Sequence, residues 1–417
     1  MSIRKSLTAA QILERTDPEG AWYNDNKLVA TGKHWLYETS PRGYGKSTRA
    51  ASRFIATYIC TGKKWLYLRR NDKLLNSTKW TFFDTAVEII NDVCSDLFYI
   101  SHFRCETLNG ITRYFMKIEF ADEDNTPPGI EDVEEDKRED FLKQYRRKTA
   151  EECGLAMALS TGEEEAKSGG GIFKNVKLGV YDEFIAAHGT NYLGSADTPE
   201  REFEAIYSIY ISVAREKGNP FLSDVYFFFL GNWSHDYNPI LVETGVNIYT
   251  AQSPEAHMIA PKSEEWAIEF IEPTEGFKRK QRESVAYKLA QHSKREQEYN
   301  FENKSKDSQY ADESICKDTP KDCRYMEGLM LNNKGYGVYY RRRDGLIYIG
   351  KIRQEGKTHA LDIGSYTNGN ASMLVMKWRD DPILERIYER FLCRKVYFRD
   401  KETQRAFLQY LDFIPRV

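Results

Sequence analysis

Ser40-Pro41-Arg42-Gly43-Tyr44-Gly45-Lys46-Ser47 separates two stretches of different character. Before it, His34 to Glu38 reads as a short strand. After it, Lys46 to Tyr58 places Ala50, Ala51, Phe54, Ile55 and Tyr58 at helical spacing. A glycine-containing loop between a strand and a helix is the setting of a phosphate-binding loop. Gly43 and Gly45 let backbone N–H groups converge on phosphate oxygens, where the helix N-terminus adds its partial positive charge. Lys46 would reach the β and γ phosphates of ATP, and the Ser47 hydroxyl would ligate Mg2+. Ser40 stands where the strict pattern has glycine, and a small residue still fits that turn. Arg42 is a cation that faces phosphate whichever way it turns.

About 135 residues further on, the apolar stretch Leu178-Gly179-Val180-Tyr181 ends in Asp182-Glu183. Such a pair is expected on a strand beside the loop, with Asp182 holding magnesium and Glu183 polarising the attacking water. Alone, an Asp-Glu after a strand is an ordinary solvated strand end; after a phosphate loop, it marks a nucleotide hydrolase. Asn232, just beyond the strand Val225 to Leu230, is placed to sense the γ phosphate, although Gly231-Asn232 also reads as a plain turn. Arg215, expected on a helix after the acid pair, is a candidate for stabilising transition-state charge in a neighbouring subunit.

Outward from these motifs, Lys64 to Arg69 reads as the next strand and Trp80 to Val93 as an amphipathic helix, the alternation of an α/β sheet. The strands Val176 to Tyr181 and Val225 to Leu230 are expected to be neighbours at its centre. Ten of the twenty residues from 121 to 140 are Asp or Glu, so a solvated acidic insertion is expected over about 121–153. From Phe277 to Asn300 the chain is charged and helical in pattern. The expected domains are 1–255, a connector 256–315, and 316–417. In the last, Tyr336 to Tyr340 and Leu346 to Ile349 flank Asp344-Gly345 as a hairpin, followed by helical stretches from Pro382 to Leu392 and Glu402 to Leu411. The Tyr336 strand, read as central, carries no carboxylate, so no two-metal nuclease site assembles there. Arg341-Arg342-Arg343 beside Tyr339, Tyr340 and Tyr348 can grip a phosphate backbone, or serve solubility only.

At 417 residues the chain is long enough for two domains, and 41% hydrophobic residues suffice for a sizeable core. Sixty basic against 63 acidic residues exclude a strongly basic coat protein, so nucleic-acid contact must be a local patch. The seven cysteines show no C-x-x-C pair and no histidine at metal-ligand spacing, which fits reduced thiols. The longest apolar runs are too short for a bilayer and the N-terminus lacks the apolar core of a signal peptide, so no membrane association is expected.

Taken in order, Tyr23-Asn24, the loop from Pro41 to Ser47, Tyr67-Leu68-Arg69-Arg70, Val180-Tyr181-Asp182-Glu183-Phe184, Gly231-Asn232, Gly337-Val338-Tyr339 and Gly345-Leu346-Ile347-Tyr348-Ile349 resemble the viral genome-packaging ATPases. Within that large terminase group the resemblance is to the encapsidation ATPases of the phi-twenty-nine-like phages. It implies an N-terminal ASCE-type P-loop ATPase domain with a central, mainly parallel sheet, and a smaller C-terminal RNase H-like domain that has lost its metal-binding acids. It also implies that Arg42 is the loop arginine, Arg215 a trans-acting finger, and Lys167 a second cation reaching the adjacent subunit. A homo-oligomeric ring, a pentamer by family resemblance, would sit at the portal of a procapsid in the host cytoplasm, joined through a packaging RNA and threaded by double-stranded DNA. Two other readings stand beside this one: a P-loop helicase or translocase without a capsid partner, and a nucleic-acid-binding scaffold with a degenerate phosphate loop.

Overall fold

The computed structural model describes residues 7–18, 20, 22–168, 171–185, 193, 201–215, 224–232, 238–244, 246, 258–290, 293, 314–331, 334–352, 360–362, 373–374, 382–392, 395–400, 402–404 and 407. The chain divides into two units, one of 1–185, 202–233 and 251–303, the other of 186–201, 234–250 and 304–417.

The first unit is built on a sheet of nine strands among the described residues. These are β1 (Trp35–Thr39), β2 (Lys64–Arg69), β3 (Phe98–Leu108), β4 (Ile111–Phe120), β5 (Glu151–Ala158), β6 (Val176–Asp182), β7 (Tyr226–Gly231), β8 (Met258–Ile259) and β9 (Trp266–Phe270). Their order is β3-β4-β5-β2-β6-β7-β1-β9-β8, and the run from β5 to β9 is parallel throughout. Strands covered on both faces read as continuous apolar runs, and β1, β2, β6 and β7 are buried along nearly their whole length. The helices up to residue 214 are α1 (Ala9–Thr16), α2 (Asn26–Val29), α3 (Lys46–Thr61), α4 (Asp72–Thr78), α5 (Thr81–Cys94), α6 (Arg138–Thr149), α7 (Leu159–Lys167) and α8 (Arg201–Ala214). Helix α3 starts after Gly45 and stops at Gly62, both left-handed, with the Gly62 N–H closing on the Tyr58 carbonyl at 2.7 Å. Within the sheet, Gly179 is a close approach: a Cβ there would stand 2.6 Å from the Phe227 ring.

Three expectations need correction, and one element is new. The carboxylate strand β6 is not beside the loop strand β1, because β7 lies between them. The hairpin β3–β4 was not expected; it turns at Asn109-Gly110, whose φ values of 52° and 76° suit a type I′ turn. The acidic insertion ends before residue 150, since β5 begins at Glu151 and Cys153 is fully buried in it; α6 forms its second half with no buried residue. The first unit also runs past residue 255: β9 pairs with β1, and its Trp266, Ala267 and Ile268 are buried. The charged stretch beyond is two helices, Glu275–Glu283 and Val285–Ala290, separated at Ser284; most of its continuation, Lys294 and Arg295 included, lies outside the described residues.

The second unit holds a six-stranded sheet: β10 (Arg324–Leu331), β11 (Lys334–Arg341), β12 (Leu346–Lys351), β13 (Ala360–Asp362), β14 (Met373–Leu374) and β15 (Val396–Phe398). β10, β11 and β12 form an antiparallel meander; β13 lies parallel to β10 on its other side, with β14 beyond, and β15 adds to β12. A three-strand meander is thus continued by parallel strands beside its first member. The expected hairpin is β11–β12, with Gly345 at φ 72° in its turn. The Tyr336 strand, β11, is one of the two middle strands and carries no carboxylate, whereas β10, the other, carries an acid, Glu327. The Glu327 carboxylate accepts the Gly328 N–H at 3.2 Å. Among the described residues no cluster of three or more His, Cys, Asp or Glu can hold a metal. Leu329, Val338, Ile347, Ile349, Leu384, Ile387 and Phe398 pack as this unit's core.

Candidate nucleotide site

The loop from Ser40 to Ser47 hangs between β1 and α3 and is propped from several sides. The Ser40 N–H donates to the Gly231 carbonyl at 3.3 Å, and the Tyr23 N–H to the Tyr44 carbonyl at 3.2 Å. The Tyr44 hydroxyl accepts the Thr274 N–H at 3.2 Å, and its ring packs 4.7 Å from Phe277. Gly43 and Gly45 hold φ of 77° and 91°, whereas Ser40 is fully buried without a positive φ. Serine therefore replaces the first glycine of the pattern at no backbone cost. Pro41 is buried; Arg42 is exposed at the loop's outer side and Ser47 half-buried on the first turn of α3.

Lys46 is buried, and its Nζ donates to Asn232 Oδ1 at 2.7 Å. Burial pushes its ammonium down to about 8, against the pull of Asp182, Glu38 and Glu183. The strand order explains the contact: β7 ends between the loop strand and the acid strand, so Asn232 meets the lysine directly. Three elements that the sequence separates by up to 186 residues thus converge at the C-terminal edge of the parallel strands, where α/β sheets place their ligands.

The acid pair is held by two arginines at the end of β2. Arg69 NH1 lies 3.2 Å from Asp182 Oδ2 and 3.1 Å from Glu183 Oε2. The Tyr67 hydroxyl also donates to Asp182 Oδ2 at 3.3 Å. Burial raises the Asp182 carboxyl, with Glu183 adding to the rise and Arg69 and Lys46 opposing it. Glu183 sits at φ 58°, a left-handed turn that non-glycine residues rarely adopt, and its side chain is 53% exposed, open to a water. Arg70 fixes that turn. It donates to the Glu183 and Phe184 carbonyls at 3.1 and 3.0 Å and forms a bidentate pair with the fully buried Glu202, which also accepts the Tyr181 hydroxyl at 2.6 Å. Since Glu202 opens α8, the same arginine ties the acid turn to the helix after which Arg215 follows.

Beneath the loop, Asp25 is enclosed by Arg49 and Arg53. Arg49 Nε lies 2.7 Å from Asp25 Oδ1, and Arg53 NH2 donates to the same oxygen at 2.6 Å. Burial pushes this carboxyl up, but the two guanidinium groups outweigh it and hold Asp25 below its ordinary value. Glu38, beside Glu269 in the β1–β9 register, is buried with neither carboxylate oxygen hydrogen-bonded, and burial drives it well above the carboxylate range.

Two expected site residues stand apart from this convergence. Arg215 is exposed just past the end of α8 and pairs with nothing among the described residues. Lys167 ends α7, 66% exposed, in an ion pair of 2.7 Å with Glu163. In the other unit, Arg341 is committed to Asp344 at 2.8 and 3.0 Å, leaving Arg342 and Arg343 as the exposed cations of the arginine cluster. The sequence reading gave no role to Arg69, Arg70, Glu202 or Asp25. Two consecutive arginines closing an apolar parallel strand were the available signal, because that edge of the sheet is where charge is needed.

No family model matches the chain, and no curated protein sequence matches it significantly. Solved structures do. The bacteriophage Phi-29 viral genome packaging motor assembly contains a chain similar to this one with a TM-score of 0.56 and 16% identity, over 95% of this chain and 100% of that one. The Phi-28 gp11 DNA packaging motor is similar with a TM-score of 0.56 and 15% identity, over 95% of this chain and 98% of that one. The fold of those packaging-motor chains is the fold of this protein, through both units.

Proposed function

We propose that this protein is an ATPase that drives double-stranded viral DNA into a preformed procapsid. The observation that carries the reading is the convergence of Lys46, Asn232 and the Asp182-Glu183 turn at one edge of a parallel sheet, within a fold shared end to end with packaging-motor chains.

The donor set suits magnesium, which prefers hard oxygen ligands and few protein contacts. Ser47 offers a hydroxyl, and Asp182 Oδ1 has no hydrogen-bond partner among the described residues. Bound magnesium would neutralise charge on the phosphate oxygens and the leaving group. The loop amides and Lys46 bind and orient the β and γ phosphates, and Asn232, whose Oδ1 holds Lys46 in the free site, can then donate from Nδ2 to the γ phosphate. Glu183 accepts hydrogen bonds from the attacking water and aligns it in line with the leaving oxygen. Arg42 adds charge from the loop. Arg215, and secondarily Lys167, complete the site of the adjacent subunit in a homo-oligomeric ring, a pentamer by family resemblance. That ring would act in the host cytoplasm, at the procapsid portal, with a packaging RNA as a further partner.

ATP hydrolysis measured with procapsid, with free DNA and with neither tests the function. Turnover that depends on procapsid, with DNA becoming nuclease-protected, is expected; equal stimulation by free DNA alone would favour a translocase without a capsid. Lys46→Ala and Asp182→Ala should abolish hydrolysis, and Glu183→Gln should retain ATP but stop turnover. Full phosphate release by Glu183→Gln would remove Glu183 from the role of base.

A further inference from the structure

Arg69 is almost completely buried at the end of β2, with its charge directed at the acid pair. Its NH1 stands 3.2 Å from the Asp182 carbonyl, 3.2 Å from Asp182 Oδ2 and 3.1 Å from Glu183 Oε2. On its other side, Nε donates to Thr78 Oγ1 at 3.2 Å. Two neighbouring carboxylates at the mouth of a buried site repel each other, and this guanidinium is the cation that touches both. A divalent ion bound through Asp182 would relieve the same repulsion. Arginine and metal therefore compete for one patch of negative charge.

We infer that Arg69 is the resident counter-ion of the acid pair, a positioning residue that holds Asp182 and Glu183 together in the free site and limits how tightly magnesium nucleotide is held. The inference rests on the magnesium–nucleotide reading above. Arginine suits the task better than lysine because its planar fork keeps Nε on Thr78 and NH1 on Glu183 while giving up Asp182 Oδ2. The buried charge is then never left unpaired. The device has a use in a cycling motor: an acid pair with no resident cation would retain magnesium and product after hydrolysis.

The test is equilibrium binding of a fluorescent ATP analogue to the full chain, in EDTA and over a magnesium chloride series, read by anisotropy. Arg69→Gln should bind the nucleotide more weakly than wild type in EDTA, because the uncompensated acids repel the triphosphate. The gain in affinity on adding magnesium should be larger than in wild type by about tenfold, the effect of one charge-assisted hydrogen bond no longer lost to the metal. A purely structural lesion lowers affinity in both conditions and leaves the magnesium gain as in wild type. Arg69→Lys keeps the charge at a single point of contact and should show an intermediate gain of about threefold; it decides the matter if the glutamine variant does not fold. A magnesium gain equal to or below wild type in a folded variant overturns the inference while leaving the nucleotide site intact. Wild-type protein that binds no nucleotide in either condition overturns the site reading itself, and this inference with it.

Discussion

Nucleotide affinity should depend on pH through Lys46. Loss of hydration lowers its ammonium from 10.5 to about 8 in the free protein, a preference for the neutral amine worth about 3 kcal/mol. A triphosphate bound against Nζ reverses that preference, because the lysine must be charged to meet the β and γ phosphates. Affinity is therefore full below pH 8 and is lost as pH rises through it. The protonated fraction in the free protein falls from about 0.9 at pH 7 to about 0.1 at pH 9, so affinity should drop about tenfold over that span, with uptake of about 0.5 proton per site at pH 8. Calorimetric titration with a non-hydrolysable ATP analogue in two buffers of different ionisation enthalpy measures both quantities. Lys46→Arg, charged throughout, should abolish the proton uptake. A flat affinity from pH 7 to pH 9 with buffer-independent heats would refute the argument, and with it the placement of Lys46 against phosphate.

Arg215→Ala should keep nucleotide affinity yet lose a factor of about 10³ to 10⁵ in stimulated turnover, and mixing it with Glu183→Gln subunits should restore part of the activity, since an intact site in the first receives the finger of the second. Normal turnover of Arg215→Ala in the assembled ring would end the trans assignment and make Lys167 the next candidate. Asp25→Ala leaves the Arg49 and Arg53 guanidinium groups, 6% and 12% exposed, without their carboxylate; urea denaturation should show a loss of about 3 to 5 kcal/mol, and a loss below about 1 kcal/mol would mean the network is solvated. Incubated with DNA and manganese, the full chain should bind without cutting, because the Tyr336 strand in the middle of the second sheet carries no carboxylate. Reproducible cleavage would point to Glu327 on the neighbouring strand β10.

The elements that local chemistry decides were legible from the residues. The strand Lys64 to Arg69, the helix after Gly45, the turn at Asp344-Gly345 and the helix Pro382–Leu392 all follow from side-chain periodicity and glycine placement, which act over a few residues. The phosphate loop and the acid pair were legible for the same reason, because each is a contiguous run whose chemistry needs those residue types in that order. What periodicity cannot carry is lateral strand order. Only the folded sheet puts β7 between β1 and β6, bringing Asn232 to Lys46 across 186 positions, and only it shows that β10, with Glu327, lies beside β11 in the middle of the second sheet. Burial is likewise a tertiary quantity: Arg69 and Arg70 gain a role only once both are enclosed against Asp182, Glu183 and Glu202. Charges so far apart in the chain choose their partners only when desolvation makes leaving any one of them unpaired too costly, and that condition exists only in the packed molecule.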